Sequence, residues 1–281
     1  MITTREIIET ALREDVGNGD HTSLACIKSE ATGKAELKVK AHGILAGIDI
    51  AKQVFQQVDS TLSFTPFMKN GDFMQPGDIA FEIQGNARSI LTGERLCLNI
   101  LQRMSGIATL TSKYVQACQG TQTKVLDTRK TTPGIRFFEK QAVKIGGGHN
   151  HRFGLYDYIM LKDNHIDYAG GIRQAILTTR DYLSKNGLNL QVEVETRSLN
   201  EVEQVLETGQ VQRIMLDNFT HDQTRDAIKL INGKYETESS GGITLDTIAG
   251  YARCGVDYIS VGALTHSAVS LDLSLKAVIT D

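Results

Sequence analysis

The segment Asp127–Ile166 gathers most of the side chains that could do chemistry in this chain. It reads DTRKTTPGIRFFEKQAVKIGGGHNHRFGLYDYIMLKDNHI and is rich in lysine, arginine and histidine, although the whole 281-residue chain carries a formal net charge of -3. Because the cations gather in one segment of a slightly acidic protein, the pattern indicates a local pocket for a small, highly charged anion.

Arginine and lysine suit different anions within such a pocket. Arg129 and Arg152 present planar forks that match carboxylates, whereas the ammonium group of Lys162 suits phosphate oxygens. Glu195 and Asp217, on later predicted strands, oppose this basic set. Such carboxylates can neutralise the cations, hold Mg²⁺ beside a diphosphate, or stabilise a developing positive charge.

The other cations and histidines of the segment have simpler interpretations. Arg136, Lys140 and Lys144 lie four residues apart, which predicts a solvated helix face. Metal ligation is disfavoured for His149 and His151, because no cysteine partners them and no acidic residue lies at helical spacing from them.

Apolar strands that alternate with amphipathic helices must position these side chains. The sequence predicts strands at 124–128, 157–163, 190–196, 213–218, 235–240 and 258–262. The last of them repeat at about 22 residues, which is typical of tight βα units and a parallel sheet. Right-handed crossovers would roll such a sheet into an α/β barrel.

Polar or small residues end these predicted strands: Asp127, Lys162, Glu195, Asp217, Ser239, Ser240 and Gly262. In a barrel, the carboxyl ends of the strands converge on one mouth, and the loops after the last strands commonly hold phosphate. The turns SSGGI (239–243) and VGALT (261–265) occupy those positions. Their small residues would let backbone N–H groups approach an anion, although a Gly pair alone is equally consistent with an ordinary turn.

The first hundred residues show a different pattern of apolar and charged residues. KAELKVKA (34–41) alternates apolar and charged residues, which predicts a half-buried strand. Helical spacing after residue 88, including Cys97 and Met104 as core positions, predicts one helix, or two if Gly93 and Gly106 interrupt it. We expect an N-terminal α+β open-sandwich domain at 1–105, joined by the segment 266–281, and a barrel domain at 106–265.

Composition and cysteine spacing argue against several protein classes. No apolar run approaches the roughly 20 residues of a membrane span. A pI near 6.2 with 6% aromatic residues argues against a nucleic-acid partner. The N-terminus, MITTREIIETALRED, is an amphipathic helix candidate without a signal-peptide pattern. The cysteines lie far apart without metal spacing, which indicates reduced thiols and a cytoplasmic protein.

A set of linked motifs resembles a known family. DTRKTTPG, GGGHNHRFGLYDYIMLKDNH, VEVE, LDN, SSGG and VGALTHS occur in the order and spacing of quinolinate phosphoribosyltransferase, also called nicotinate-nucleotide pyrophosphorylase (carboxylating). EDVGNGDHTS and GERLCLNILQRMSGIAT match as well, so the resemblance extends over nearly the whole chain. Each motif alone would be weak, but the linked set is highly specific.

The resemblance implies an enzyme of de novo NAD biosynthesis. Quinolinate and phosphoribosyl pyrophosphate would give nicotinate mononucleotide, pyrophosphate and CO₂, with Mg²⁺ as the cofactor. It also implies a homodimer, or a higher oligomer built from it, with shared active sites. The expected fold is an incomplete TIM-like barrel of about seven strands behind the N-terminal domain.

The resemblance assigns residues to each substrate. Quinolinate would be bound by Arg129, His151, Arg152 and Lys162, together with Arg95 from the second subunit of a dimer. Phosphoribosyl pyrophosphate would be held by Lys130, Glu195, Asp217, Ser240, Gly241 and Gly242, with Gly262 and Leu264 at its 5′-phosphate end.

Three of these residues are the expected catalytic groups, namely Lys130, Glu195 and Asp217. The two carboxylates would hold Mg²⁺ directly or through intervening groups. Glu193 shares the VEVE strand, but the register leading to LDN favours Glu195 for this role.

Two alternative functions remain open from the residues. The chain could be a same-fold paralogue with another substrate, such as nicotinate phosphoribosyltransferase or the molybdenum-operon protein that resembles this family. It could also be a non-catalytic anion-binding barrel, for instance a nucleotide sensor. The dense basic cluster favours a dicarboxylate over a monocarboxylate, and Glu195 and Asp217 argue against passive anion capture, which gains nothing from added carboxylates.

Overall fold

This computed structural model describes residues 3–278 of the chain. The chain divides into two compact units. The first takes in the residues up to Ser112, the segment Thr131–Gly147 and the residues from Leu264 onward. The second takes in Lys113–Lys130 and Gly148–Ala263. Residues 279–281 of the segment expected to join the N-terminal domain lie outside the described residues.

The helices are α1 (Thr4–Val16), α2 (His21–Cys26), α3 (Ile48–Val58), α4 (Ala87–Ala117), α5 (Arg136–Ile145), α6 (Asp163–Ala169), α7 (Ile172–Lys185), α8 (Leu199–Thr208), α9 (His221–Ile231), α10 (Ile248–Ala252) and α11 (Ala263–His266). The strands are β1 (Thr32–Val39), β2 (Gly43–Ile44), β3 (Ser63–Pro66), β4 (Phe73–Met74), β5 (Ile79–Asn86), β6 (Lys124–Leu126), β7 (Ile159–Leu161), β8 (Val192–Thr196), β9 (Arg213–Asp217), β10 (Glu236–Ser240), β11 (Tyr258–Ser260) and β12 (Leu273–Ala277).

The first unit is built on an antiparallel sheet with the strand order β12-β1-β5-β3, beside a two-stranded pair of β2 and β4. The alternation predicted for β1 is confirmed, because Ala35, Leu37 and Val39 are buried and Lys38 is exposed. Phe55 and Phe81 pack edge to face behind the sheet, with ring centroids 6.2 Å apart. This apolar face forms the core of the unit.

Helix α4 runs unbroken for 31 residues, so the alternative of two consecutive helices is wrong. Gly93 and Gly106 lie where other parts of the first unit pack closely against the helix. A Cβ at Gly93 would lie 2.9 Å from the Phe55 ring, and a Cβ at Gly106 would lie 2.1 Å from the backbone oxygen of Val269. Tertiary packing offsets the low helix propensity of glycine here. Cys97 and Met104 are buried, as predicted.

Helix α5 corrects the prediction of a solvated basic face. Lys140 is only 3% exposed, whereas Lys144 is exposed and Arg136 is half-buried. The adjacent Glu139 is fully buried and accepts hydrogen bonds from Arg103 Nε at 3.0 Å and from the backbone N–H of Thr132 at 2.9 Å. Because these hydrogen bonds hold Glu139 inward, the helix also buries Lys140, which the four-residue spacing of the basic residues had placed in solvent.

The second unit contains a parallel sheet with the order β6-β11-β10-β9-β8-β7. Each of these strands lies within one of the predicted ranges, so the α/β architecture is confirmed. Beyond the β6 edge, an isolated parallel bridge joins Leu126 to His149 and marks a further strand position. The result is an incomplete, TIM-like arrangement with helices between the strands. None of the helices in residues 3–278 has the length and apolar character needed to cross a membrane.

We expect Gly106→Ala to destabilise the protein by about 1–3 kcal/mol, because the added methyl group would overlap a backbone oxygen that cannot rotate away. Thermal unfolding measures this. Lys113→Ala, at an exposed position of the same helix, is the control and should leave the melting temperature nearly unchanged. A Gly106→Ala protein that melts at or above the wild-type temperature would contradict the close approach.

Candidate active site

The predicted site residues of the second unit gather at the carboxyl ends of its parallel strands. Lys162 follows β7 directly, Glu195 lies near the end of β8, and Asp217 ends β9. Ser240 ends β10, and Gly262 follows β11. Since β7, β8, β9, β10 and β11 are neighbours in the sheet, these residues line one edge of it.

Lys162 and Glu195 form an ion pair on this edge, with Lys162 Nζ 3.2 Å from Glu195 Oε2. The lysine side chain is about half exposed, whereas the glutamate side chain is 8% exposed. The other oxygen of Glu195 accepts the backbone N–H of Asp163, at 3.4 Å. His165 Nδ1 accepts the backbone N–H of Lys162, at 3.0 Å, and so caps helix α6.

Asp217 and the SSGG turn are held together by Asn218. The side-chain amide of Asn218 donates to Asp217 Oδ2 at 2.7 Å, and its backbone N–H donates to the carbonyl oxygen of Ser240 at 2.9 Å. Asn218 adopts a left-handed conformation with φ 58°, which asparagine tolerates better than most residues. A Cβ at Gly241 would lie 2.2 Å from Asn218 Oδ1, so this turn position requires glycine.

The remaining predicted residues have varied surroundings. Gly242 has φ 60° and open space around its Cα, and Gly262 is half-buried. Lys130 is exposed in the second unit. Leu264 is fully buried and belongs to the first unit, as does Arg95, which is exposed on α4.

Arg129 and Arg152 are two half-buried guanidinium groups in the second unit. Burial lowers the pKa of Arg152, and the nearby positive charge of Arg129 lowers it further. Like charges held this close repel each other, so a bound anion that lies near both would be stabilised by both. Arg152 Nη1 also donates to the carbonyl oxygen of Tyr158, at 3.4 Å, which restrains the side chain.

The HNHR segment is anchored by Asp127, which is fully buried after β6. Its carboxylate accepts the backbone N–H of His151 at 2.8 Å and the side-chain amide of Asn150 at 2.5 Å. Both oxygens of this buried side chain are thereby hydrogen-bonded. Asp127 therefore fixes the path of the chain that leads into Arg152.

The ring of His151 points into a buried ionic cluster, which consists of His151, Glu193, Arg213 and Glu238. Its Nε2 lies 3.0 Å from Glu193 Oε2 and 3.4 Å from Glu238 Oε2. Arg213 Nη1 lies 3.0 Å from Glu238 Oε2, and its guanidinium stacks 3.9 Å from the centre of the Tyr258 ring. Both glutamate side chains are 0% exposed. The cluster thus lies inside the second unit and not at its surface.

Glu193 and His151 hold protons more tightly than the free side chains do, whereas Glu238 does not. Burial opposes the charged form of Glu238, but the hydrogen bond and charge of His151 and the charge of Arg213 outweigh it and lower the pKa of Glu238. Burial raises the pKa of Glu193 to about 7, and the negative charge of Glu238 acts in the same direction. Burial opposes a charged His151, but hydrogen bonds to Glu193 and Glu238 outweigh it and raise its pKa to about 9. An imidazolium would also carry a proton on Nδ1, which accepts the backbone N–H of Arg152 at 2.7 Å. Because a ring that accepts this bond carries a single proton, on Nε2, the geometry places the proton that His151 and Glu193 compete for on Glu193 and not on Nδ1 of the ring.

The same tautomer argues against a metal in this cluster. His151, Glu193 and Glu238 offer ligand atoms that lie within 4.8 Å of one another. A metal on Nε2 would force the ring proton onto Nδ1, where the Arg152 N–H already points. Arg213 supplies the compensating positive charge instead, so we assign no metal to these three residues.

Family models match both parts of the chain. One, described as the quinolinate phosphoribosyl transferase N-terminal domain, matches residues 20–105. Another, described as the C-terminal domain of the same enzyme, matches residues 107–276. The chain belongs to the quinolinate phosphoribosyltransferase family.

Individual relatives agree with this family. The chain is 42% identical to a probable nicotinate-nucleotide pyrophosphorylase [carboxylating] of Bacillus subtilis, over 99% of this chain and 94% of the relative. It is 45% identical to the chloroplastic nicotinate-nucleotide pyrophosphorylase [carboxylating] of Arabidopsis thaliana, over 97% of this chain and 82% of the relative. The crystal structure of NadC from Streptococcus pyogenes superposes with a TM-score of 0.93 at 44% identity, covering 100% of this chain and 99% of that chain.

Sequence reasoning did not single out Arg213 and Glu238, and it treated Glu193 only as a competitor of Glu195. The two glutamates lie two residues apart on β8 and so share a face, Glu193 with His151 and Glu195 with Lys162. A signal was present in the sequence. VEVET and ETESS each carry glutamate at every second position of a predicted strand, which places two carboxylates on one face of each strand. In the structure Glu193, Glu195 and Glu238 are buried, whereas the side chain of Glu236 is 47% exposed.

We expect the thermal stability of the wild-type protein to fall between about pH 5 and pH 7 through Glu193. A carboxyl whose pKa rises from its ordinary 4.5 to about 7 on folding stabilises the folded state below pH 4.5 and loses this contribution as pH rises through 7. Calorimetric melting at several pH values measures the slope. The slope should be smaller in Glu193→Gln, which cannot release a proton, and parallel curves for the two proteins would contradict the assignment.

Proposed function

We propose that this chain transfers a phosphoribosyl group from phosphoribosyl pyrophosphate to quinolinate, releasing pyrophosphate and CO₂ and forming nicotinate mononucleotide. Membership of the family and the names of its relatives, at 42–45% identity over nearly the whole chain, support this reaction over that of a same-fold paralogue. They equally favour an enzyme over a non-catalytic anion sensor.

One observation carries the substrate proposal, namely the adjacency of Arg129 and Arg152. Quinolinate is a rigid dianion, and two guanidinium forks match its two carboxylates. Lys162 adds a third positive charge at the same strand edge, and Arg95 of a second subunit completes the proposed set. In this structure both ring nitrogens of His151 are engaged within the second unit, so its proposed contact with quinolinate would require the ring to give up one of these bonds.

The second substrate is proposed to bind along β9, β10 and β11. Backbone N–H groups of Ser240, Gly241 and Gly242 suit phosphate oxygens, because a glycine turn lets an anion approach the main chain closely. Lys130 would neutralise the pyrophosphate, with Gly262 and Leu264 at the 5′-phosphate end. The half-exposed side chain of Lys162, paired with Glu195, would then lie at the junction of the two substrates.

Glu195 and Asp217 fit the oxygen ligands that Mg²⁺ prefers. Both lie at strand ends of one sheet edge, and Asn218 orients the Asp217 carboxylate. Bound there, the ion would offset the charge of the pyrophosphate as it leaves.

The proposed mechanism depends on positioning and on electrostatics. The quinolinate nitrogen attacks C1′ of the ribose as pyrophosphate departs, so positive charge develops on the sugar. The carboxylates of Glu195 and Asp217 can stabilise this charge. The arginines hold the dianion beside a second anion that would otherwise repel it, and such positioning is worth several kcal/mol, on the order of 7 or more in favourable systems. After transfer, the bond between the carboxylate and the ring carbon beside the nitrogen breaks, and CO₂ leaves. The electron pair stays on that carbon, where the adjacent positively charged nitrogen stabilises it until a proton takes the place of the carboxylate.

We further place the protein in the cytoplasm, as a homodimer or a higher oligomer built from it, without nucleic-acid or membrane partners. The four cysteines are unpaired in the structure, which supports a reducing compartment.

An assay of the purified protein with quinolinate, phosphoribosyl pyrophosphate and Mg²⁺ tests the reaction. Nicotinate mononucleotide and CO₂ should form, and nicotinate should not replace quinolinate. Arg152→Ala should raise the KM for quinolinate by about a hundredfold, because a charge-assisted contact worth roughly 3 kcal/mol is lost. Arg173→Ala, at an exposed position of α7, is the matched control. Consumption of nicotinate instead of quinolinate would show that the substrate proposal is wrong.

Mixing two inactive variants tests the shared site. If Arg95 of one subunit serves the site that contains Arg129 of the other, a mixture of Arg95→Ala and Arg129→Ala should regain about a quarter of wild-type activity after subunit exchange. Half of the random dimers would then contain one intact site of two. A mixture of Arg129→Ala and Arg152→Ala is the control and should stay inactive. No recovery in the first mixture, with exchange verified, would count against the dimer geometry.

A further inference from the structure

Glu193, Arg213 and Glu238 have no place in the proposed chemistry, yet they occupy the interior of the second unit. Barrel interiors of this kind are usually filled by branched apolar side chains. Replacing a buried ionic set by apolar residues is often neutral or stabilising, so stability alone does not account for it. What these charges contact gives a more specific explanation.

The contacts form one continuous path from the interior to Arg152. Arg213 forms an ion pair with Glu238, and the carboxyl groups of Glu193 and Glu238 both contact Nε2 of His151. The opposite ring nitrogen, Nδ1, accepts the backbone N–H of Arg152. Nε2 faces the carboxyl groups and Nδ1, on another edge of the ring, faces the N–H of Arg152. The ring can make both sets of hydrogen bonds only in a single orientation and a single tautomer.

We propose that Glu193, Glu238 and Arg213 are positioning residues for quinolinate, which act through His151 on the backbone of Arg152. This inference rests on the proposed function, because it takes Arg152 as a carboxylate ligand. The carboxylates fix the ring, and the ring fixes the N–H of Arg152 at the point where Asp127 already holds the backbone N–H of His151. Two successive N–H groups are thereby anchored, which sets the direction in which the guanidinium leaves the chain.

The orientation of one guanidinium matters because it must oppose the repulsion of its neighbour. The charge of Arg129 disfavours a charged Arg152 beside it, and the anchored backbone limits how far Arg152 can move away from that charge. A fixed backbone removes that freedom before the substrate arrives, and such preorganisation is expressed in the affinity for quinolinate. Phosphoribosyl pyrophosphate, proposed to bind along later strands, should be insensitive to it.

Steady-state kinetics of Glu193→Ala test the proposal. The KM for quinolinate should rise by about tenfold, equivalent to 1.4 kcal/mol, while the KM for phosphoribosyl pyrophosphate stays within about twofold. Glu193→Gln should return the KM for quinolinate to within about threefold of wild type, since its amide oxygen can still accept the Nε2 proton. A merely structural role would lower the amount of active enzyme and leave both KM values unchanged.

A matched control comes from the other partner of Arg213. Glu236 Oε2 lies 3.0 Å from Arg213 Nη2, but its side chain is 47% exposed and the Arg213–Glu238 contact does not need it. Glu236→Ala should therefore leave both KM values unchanged. If Glu193→Ala does not fold, Glu238→Gln is the deciding variant. It keeps the side-chain volume but loses the charge that Arg213 and His151 share, and it should raise the KM for quinolinate by about threefold or more.

The outcomes separate this inference from the proposed function. Wild-type activity on quinolinate, combined with folded variants whose KM for quinolinate is unchanged, overturns the positioning role and leaves the function intact. Equal increases in both KM values also overturn it. A wild-type protein that forms no nicotinate mononucleotide overturns both.

Discussion

Charges buried inside a parallel sheet domain must find counter-charges, and much of the second unit depends on this constraint. Removing an ionised group from water costs several kcal/mol, and only close partners return that energy. The interior of the unit contains two glutamates that are 0% exposed, and each lies within 3.4 Å of His151 or Arg213. Removal of Arg213 or Glu238 would leave the other as an uncompensated charge, and removal of His151 or Glu193 would leave a buried hydrogen-bonding group without its partner.

A similar balance is repeated nearer the surface. Lys162 forms an ion pair with Glu195 at the strand ends, as Arg213 does with Glu238 in the interior. The outer pair is half solvated, so it can exchange partners at modest cost when charged ligands bind. The inner cluster is shielded from water and cannot. A rigid charged interior therefore lies behind an adaptable charged edge, which is a suitable arrangement for binding two anions in succession.

The sequence predicted those features that depend on local pattern. Strand positions and the alternation in β1 follow from periodicity, and the structure confirms them. Features that depend on tertiary pairing were not predictable. Lys140 is buried although its spacing indicates solvent, and the unbroken α4 required knowledge of Phe55 and Val269 as neighbours of its glycines.

The candidate site divides in the same way. Motifs located Arg129, Arg152, Lys162 and the strand-end carboxylates, because their types and order carry the chemistry. The direction of the His151 ring could not be read from HNHR, since it depends on glutamates from two later strands and on the Arg152 N–H. Residues that act through another side chain leave little trace in motif spacing. The alternating glutamates of the strands that became β8 and β10 were a sign that the sequence did carry.

The contact between Asn218 and Gly241 limits how this protein can vary over evolutionary time. The amide of Asn218 fills the space that any side chain at position 241 would need. The added Cβ would also lie 2.9 Å from the backbone nitrogen of residue 218, and Gly241 has a φ of 92°, so position 241 is restricted to glycine whichever residue occupies position 218. Position 218 is restricted for a different reason, because loss of its amide would release the carboxylate of Asp217.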